Sequence, residues 1–371
     1  MKIALVANTA FNILNFRLGL IVFLESKGYD VVYIAPYDDA VEKIAKISHV
    51  RFIPLHSLSR KGYNPMDDFL LARELYTIYK KEQIHIALSY TIKPNIYSGI
   101  AGYFSKTKTI CNLTGLGFVF MKKSMANTIA KNLYKLSLSL CNIIVFQNNT
   151  DKQFCEQNGI AQASKTVLIN GSGINTDIYI PSPTHDQKET FVLLFVGRLL
   201  FDKGIQEFVA AANRMASQYA NVRFHLLGGL DEGNPSAVSQ AQLDEWLQAN
   251  PALQYLGNQA DVKPFINDCD AVVLPSYREG IPRVLLEAMA LQKPFITVNS
   301  PGCEDVTHHD KNGLLAQVKS VDSLYDCMLT MYLKSKEERK EMGLYGRKLI
   351  LEKYDEKIIV AAYLKLILSL S

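Results

Sequence analysis

The stretch Ser276–Ala290, SYREGIPRVLLEAMA, sets two carboxylates, Glu279 and Glu287, with seven residues between them. Gly280 and Pro282 mark a turn, and the apolar spacing beyond it predicts a helix. Backbone amides of such a turn, backed by the positive end of the following helix, can hold hydroxyls or phosphate oxygens. Glu287, two helical turns on, is placed to reach a ribose diol. Glutamate near a helix start is also ordinary capping chemistry, so the pair alone decides nothing. A second constellation sits in FVGRLLFDKG, where an apolar run ends at Val196 and a loop offers Arg198 and Lys203 beside two glycines. Arginine gives a planar fork to phosphate oxygens and lysine a point charge; together they suit a diphosphate and the charge that develops on a leaving nucleotide. Taken singly, each cation reads as a solvated surface residue.

These loops must hang from a scaffold, and the sequence shows one. Short apolar runs alternate with amphipathic stretches: KIALVAN, DVVYIAP, IHIALSY, TKTICNL and NIIVFQN, then FVLLFVG, RFHLLGG, AVVLPS and PFITVNS. Unbroken apolar strands between helices predict parallel sheets buried on both faces, hence an α/β chain with two doubly wound halves. The polar stretch Pro181–Thr190 interrupts the pattern, giving domains over 1–180 and 190–353. From Tyr354, the residues Ile358, Ile359, Ala362, Tyr363, Leu366 and Ile367 recur at helical spacing and predict a packed terminal helix. In open α/β sheets ligands sit beyond the carboxyl ends of the strands, where the loops above lie.

The 371 residues are too many for one ordinary core. With 48% hydrophobic and 20% charged residues, the balance is that of a folded chain. The net charge of +4 conceals an asymmetry: 20 Lys and Arg against 12 Asp and Glu in residues 1–180, then 20 against 24, or +8 and −4. The basic half suits an anionic partner such as phospholipid headgroups or a lipid pyrophosphate. Nucleic acid is not expected, because the basic residues are scattered without an aromatic-basic motif. The six cysteines show no CxxC pair, and reduced thiols in a cytosol are expected. Met1 runs directly into a core strand with no signal-peptide pattern, and no run of 18 apolar residues predicts a spanning helix.

The two chemical loops, in this order and spacing, resemble the retaining family-four glycosyltransferases of GT-B fold, and the resemblance extends over nearly the whole chain. INGSGINTDIY (Ile169–Tyr179) looks like the family's interdomain strand and turn, FHLLGG its Gly-Gly turn, and GNQADVKPFINDCDAVVLPS its base-binding segment. The resemblance implies two Rossmann-like domains with a cleft between them, helix 354–371 packing back on the first. It implies that Arg198 and Lys203 hold the diphosphate of a UDP-sugar donor, that Glu279 contacts the transferred sugar and that Glu287 takes the ribose. Gly197, Gly228 and Val262 then line the nucleotide, and the backbone of Gly280, Ile281, Pro282 and Arg283 holds the sugar.

NFR (Asn15–Arg17), SRKGYNP (Ser59–Pro65), LTGLGFVF (Leu113–Phe120), LYKLS (Leu133–Ser137) and GGLDEGNPSA (Gly228–Ala237) resemble bacterial members that extend undecaprenyl-diphosphate-linked sugars, including those adding N-acetylgalactosamine to lipid-linked diacetylbacillosamine. Arg17, Arg60 and Lys93 are candidates for the acceptor's pyrophosphate, with Asn15, Thr114 and Gly115 as positioning groups. Two departures stand out: Asn8–Leu18 contains no glycine, and Thr114 stands where many members carry histidine. The expected place is the cytoplasmic face of a bacterial inner membrane, held peripherally. Met121–Asn142 supplies a candidate anchor, with Met121, Met125, Ile129, Leu133, Leu136 and Leu140 on one stripe and Lys122, Lys123, Lys131 and Lys135 off it. Such a helix suits an anionic membrane surface, although a core helix with a solvated lysine face is the commoner use of the pattern.

No metal or other cofactor is expected. Asp268-Cys269-Asp270 has an acidic-x-acidic spacing but runs straight into a buried strand, and His308-His309 lacks a third ligand. The expected reaction moves an N-acetylhexosamine, N-acetylgalactosamine first, from a UDP-sugar to a lipid-diphosphate-linked saccharide with retention. A different hexose donor, a soluble acceptor, or a two-lobed nucleotide-sugar-binding protein without turnover are the alternatives. A nicotinamide-dependent enzyme would need GxGxxG after the first strand, and KIALVANTAFN lacks it.

Overall fold

The computed structural model describes residues 1–58, 65–116, 125–182 and 189–371, with side chains of 125–130 left aside. Arg60, Lys122 and Lys123 lie outside the described residues, as do 183–188 of the expected linker. The chain forms two compact units, Met1–Gly173 with Glu356–Ser371, and Ile174–Asp355.

The first unit runs β1 (Lys2–Val6), α1 (Ala10–Phe16), α2 (Leu18–Ser26), β2 (Asp30–Ala35), α3 (Ala40–Ala45), β3 (Arg51–Pro54), α4 (Pro65–Lys81), β4 (Ile86–Tyr90), α5 (Ile92–Ser105), β5 (Lys108–Leu113), α6 (Met125–Leu140), β6 (Ile143–Phe146), α7 (Asn149–Gln157) and β7 (Thr166–Leu168). The second runs β8 (Phe191–Val196), α8 (Ile205–Ala216), β9 (Val222–Leu227), α9 (Gln240–Ala249), β10 (Leu253–Tyr255), α10 (Lys263–Asp268), β11 (Ala271–Leu274), α11 (Arg283–Ala290), β12 (Phe295–Val298), β13 (Gly313–Ala316), α12 (Val321–Leu333) and α13 (Lys336–Leu349); α14 (Glu356–Leu368) returns to the first. Among the described residues, one sheet has the order β3-β2-β1-β4-β5-β6-β7 and the other β10-β9-β8-β11-β12-β13, all pairs parallel.

Why the strands carry no polar alternation is visible in their neighbours. Ala4 and Val6 point into one core and Ile3 and Leu5 into another, on opposite faces of β1. In β8, Leu193 and Phe195 serve one face while Val192, Leu194 and Val196 serve the other. Both faces are therefore covered by helices, as buried parallel sheets require. Ile359, Val360, Tyr363 and Ile367 of α14 complete the first unit's second core. The expected apolar face of this helix is thus rotated slightly, since Ile358 is exposed and Val360 buried.

Cys111 at β5 and Cys141 just after α6 form a disulfide, their Cα atoms 6.6 Å apart. The expectation that all six cysteines stay thiols fails here, because a strand and the end of the helix following it bring together residues 30 apart in sequence.

Candidate active site

In the second unit three strand-end loops meet backbone to backbone. Gly228 after β9 has φ +147°, and a side chain there would run into the carbonyl of Gly197 after β8. Gly204 has φ +73°, and a side chain there would strike the carbonyl of Pro275 after β11. Only glycine permits these approaches, which draw the cation-bearing loop against its neighbours.

Arg198 leaves β8 with its side chain 59% exposed and donates from Nη1 to Asp231 Oδ2 at 2.6 Å. Asp231 belongs to GGLDEGNPSA, whose Ser236 Oγ donates to Asp202 Oδ1 at 2.9 Å and accepts from the Asp202 N–H at 3.1 Å. The N–H of Leu199 donates to Gly229 O at 3.0 Å, and that of Val238 to Leu199 O at 3.0 Å. This segment, read in the sequence as a mark of acceptor class, therefore holds the Arg198–Lys203 loop. Lys203 ends a short 3₁₀ turn, and its Nζ is paired with the Glu279 carboxylate. Behind them the Cys303 thiol is pushed up to about 12, by burial first and the Glu279 charge second, so it stays protonated.

Glu287 faces inward from the second turn of α11 and is only 7% exposed, which excludes a capping role. Its Oε1 accepts from Tyr179 Oη at 2.8 Å and from Arg283 Nε at 3.0 Å. Burial raises the Glu287 carboxyl above its ordinary range, against the opposing pull of Arg283 and Tyr179. Arg347 fastens this corner, donating from Nη1 to the carbonyls of Tyr179 at 2.7 Å and Ala290 at 2.8 Å. Sequence reading missed Tyr179 and Arg347 as supports of Glu287; they lie 108 and 60 positions from it, and no local spacing signals such contacts. Gly280 and Ile281 form the turn before α11 and Pro282 is its N-cap. Val262 is the N-cap of α10, and Tyr255 Oη donates to Gly228 O at 2.9 Å.

The two expected non-sites are occupied by structural roles. Asp270 Oδ2 accepts from the Val192 N–H at 2.9 Å, and its Oδ1 lies 3.6 Å from Arg339. His308 Nδ1 bonds Tyr345 Oη at 2.7 Å, whereas His309 Nδ1 accepts from the Leu315 N–H at 3.0 Å. Among the described residues no group of three or more His, Cys, Asp or Glu is placed to hold a metal ion.

In the first unit β1, β4 and β5 are neighbours, and the candidate acceptor residues follow their carboxyl ends. Asn15 in α1 donates from Nδ2 to Phe11 O at 2.9 Å. Arg17, between α1 and α2, is 4% exposed and lies over the Tyr90 ring at 4.0 Å, so it is no surface cation. Lys93 in the first turn of α5 pairs with Asp68 at 3.3 Å. Thr114 and Gly115, the latter with φ +124°, follow β5.

Residues 180–349 match the family described as glycosyl transferases group 1, and residues 2–148 match the glycosyl transferase 4-like family. The chain belongs to the group 1, GT4-like glycosyltransferases of GT-B fold. It is similar to the N,N'-diacetylbacillosaminyl-diphospho-undecaprenol alpha-1,3-N-acetylgalactosaminyltransferase of Campylobacter jejuni, 29% identical over 99% of this chain and 98% of that one. The UDP-Gal:alpha-D-GlcNAc-diphosphoundecaprenol alpha-1,3-galactosyltransferase of Escherichia coli is 24% identical, covering 69% and 68% respectively. Anabaena HepE in complex with UDP superposes with a TM-score of 0.80 at 18% identity, over all of both chains.

Proposed function

We propose that this glycosyltransferase is UDP-sugar-dependent and retaining, and that it passes an N-acetylhexosamine, N-acetylgalactosamine first, to a saccharide on undecaprenyl diphosphate. The observation that carries the reading is that Arg198 and Lys203 follow β8 while Glu279 and buried Glu287 follow its neighbour β11, with Lys203 and Glu279 paired across the two segments. The names of the Campylobacter and Escherichia relatives, each with a diphospho-undecaprenol acceptor, support the acceptor class. In this reading Arg198 and Lys203 hold the donor diphosphate between the glycine turns at Gly197 and Gly228, and Val262 borders the base. Glu279 and the backbone of Gly280–Arg283 hold the sugar. Glu287 keeps Oε1 on Tyr179 and Arg283 and offers Oε2 to the ribose hydroxyls. Asn15, Arg17, Arg60, Lys93, Thr114 and Gly115 serve the acceptor.

The acceptor hydroxyl forms its bond to the anomeric carbon on the face from which UDP leaves. The C1–O bond to the β-phosphate breaks, and the departing phosphate oxygen takes the hydroxyl proton. Both cations stabilise that oxygen as its charge grows. No carboxylate nucleophile or metal is required. The acceptor's lipid holds the enzyme at the cytoplasmic face of the inner membrane; among the described residues no helix is long and apolar enough to cross it.

The test is a screen of radiolabelled UDP-sugars against undecaprenyl-diphosphate-linked saccharides, with the anomeric configuration of the product read by NMR. Transfer from UDP-N-acetylgalactosamine giving the α-anomer is expected. An inverted product refutes retention, and transfer to soluble sugars alone refutes the lipid acceptor.

A further inference from the structure

We infer that Asp231 is a built-in competitor of the donor: its carboxylate occupies Arg198, and the diphosphate must displace it to bind. The inference rests on the proposed role of Arg198 as a diphosphate ligand, and adds a residue that weakens the binding of donor and product alike.

Both cations are already matched by a carboxylate of the chain, Lys203 by Glu279 and Arg198 by Asp231. A diphosphate held on them adds negative charge beside two carboxylates, and like charges at such range repel. One pair must therefore open. The Lys203 and Glu279 side chains are 19% and 17% exposed, so parting them strands two charges with little water to solvate either. Arg198 and Asp231 are 59% and 36% exposed, and an ion pair so open to solvent is worth little. The pair that yields is Arg198–Asp231. Were Asp231 instead to stay on Arg198 and aim it, a fixed negative charge would remain beside the bound diphosphate.

The geometry suits an exchange. Asp231 meets the guanidinium through one nitrogen, Nη1, at 2.6 Å. A diphosphate presents several oxygens and can take two parallel N–H groups of the fork, which is the stronger arrangement. The displaced carboxylate keeps a donor, since Asp231 Oδ2 also accepts from Asn234 Nδ2 at 3.0 Å. The turn holding them does not depend on Arg198: the Asn234 N–H donates to Asp231 O at 2.9 Å, and Asn234 Oδ1 accepts from the Ser236 N–H at 3.0 Å. Ser236 O accepts from the Phe201 N–H at 2.7 Å, which ties this turn to the loop that carries both cations. Asp231 thus stays within reach of Arg198 and acts as a tethered competitor at high effective concentration. Its return to the arginine favours release of UDP after transfer.

Calorimetry on the full chain tests this, with UDP and inorganic pyrophosphate as titrants. Asp231→Asn keeps an acceptor for Asn234 and loses the charge; it should tighten both ligands about 3- to 10-fold, the scale of an exposed ion pair. Glu232→Gln removes the same charge from the next residue, which is exposed, and should leave both affinities unchanged. In an Arg198→Ala background, Asp231→Asn should bring no gain. Unchanged or weaker UDP binding in Asp231→Asn overturns the inference, the weaker case by making Asp231 a support that aims the arginine. A gain shared by Glu232→Gln, or one that persists without Arg198, overturns it too, because the charge then acts through the general field of the surface. If Arg198→Ala loses UDP affinity while Asp231→Asn gains none, the competition falls and the donor reading stands. If Asp231→Asn tightens pyrophosphate but the parent enzyme binds no UDP, the competition stands and the UDP donor falls.

Discussion

Lys203 and Glu279 neutralise each other between two loops, so removing either changes the position of its partner as well as the charge in the site. Lys203→Ala and Arg198→Ala should each lower turnover by about 10²–10³-fold, the scale on which one group stabilising a developing oxyanion contributes. Arg198 is 59% exposed, and its pair with Asp231 adds little to stability, so the Arg198 variant should keep its Tm. Near-parental turnover in either variant removes the cations from the mechanism. Glu287→Ala should chiefly weaken UDP binding, whereas Glu279→Ala should damage transfer more than UDP affinity; calorimetry with UDP separates them, and equal losses contradict the division of roles. Glu287 also leaves a signature in stability. Its folded pKa is raised by burial, so its contribution is full below the ordinary carboxylate range and is lost as pH rises through the raised value. Glu287→Gln abolishes that dependence: the Tm difference between parent and variant should shift against the parent as pH climbs through this window. A pH-independent difference would show that Glu287 keeps an ordinary pKa.

Helix α6 shows how an amphipathic pattern can be read one face off. Its core contacts are Tyr134, Ser137 and Leu138, with Ser137 Oγ donating to Ile96 O at 2.6 Å, while Leu136 of the expected stripe is exposed. The exposed leucine beside Lys135 leaves a surface suited to an anionic bilayer interface, at roughly 1 kcal/mol per basic residue. Changing Lys122, Lys123, Lys131 and Lys135 together to Gln should cut sedimentation with anionic vesicles and slow transfer to a long-chain lipid acceptor, leaving UDP affinity unchanged. Undiminished vesicle binding would leave α6 with a structural role only. The strands were legible in a similar, partial way. The nine apolar runs all form strands, but β3, β7, β10 and β13 were not foreseen, and each lies at a sheet edge. Edge strands are short and half-covered, so β3 has exposed ends and β7 no buried residue. Arg198 with Lys203, and Glu279 with Glu287, were legible because each pair lies within one loop and the element flanking it. Tyr179, Ser236 and Arg347 were not, because their work is done across separate segments of the second unit.

For the molecule as a whole, the absence of a metal requirement is the broadest expectation. Activity should persist undiminished in excess EDTA if, as proposed, Arg198 and Lys203 hold the diphosphate in place of a metal. Loss of activity restored by manganese would return Asp268 and Asp270 to consideration, although Asp270 already caps the Val192 amide. The charge asymmetry works at the same scale: the basic excess of residues 1–180 is screened over roughly 8 Å at physiological salt, so the proposed attraction to an anionic bilayer should be short in range and weaken as salt rises. The division of the chain also bears on its birth. One unit is a single stretch, Ile174–Asp355, whereas the other needs Glu356–Ser371 as well as Met1–Gly173. During synthesis residues 1–173 therefore wait for residues 356–371. Until α14 emerges from the ribosome, the core face bearing Ile3, Leu5, Ile13 and Ile21 lacks Ile359, Tyr363 and Ile367, while the later-made unit already has its whole sequence. Of the two units, the one built on residues 1–173 is thus the one that a nascent chain must shield longer from aggregation.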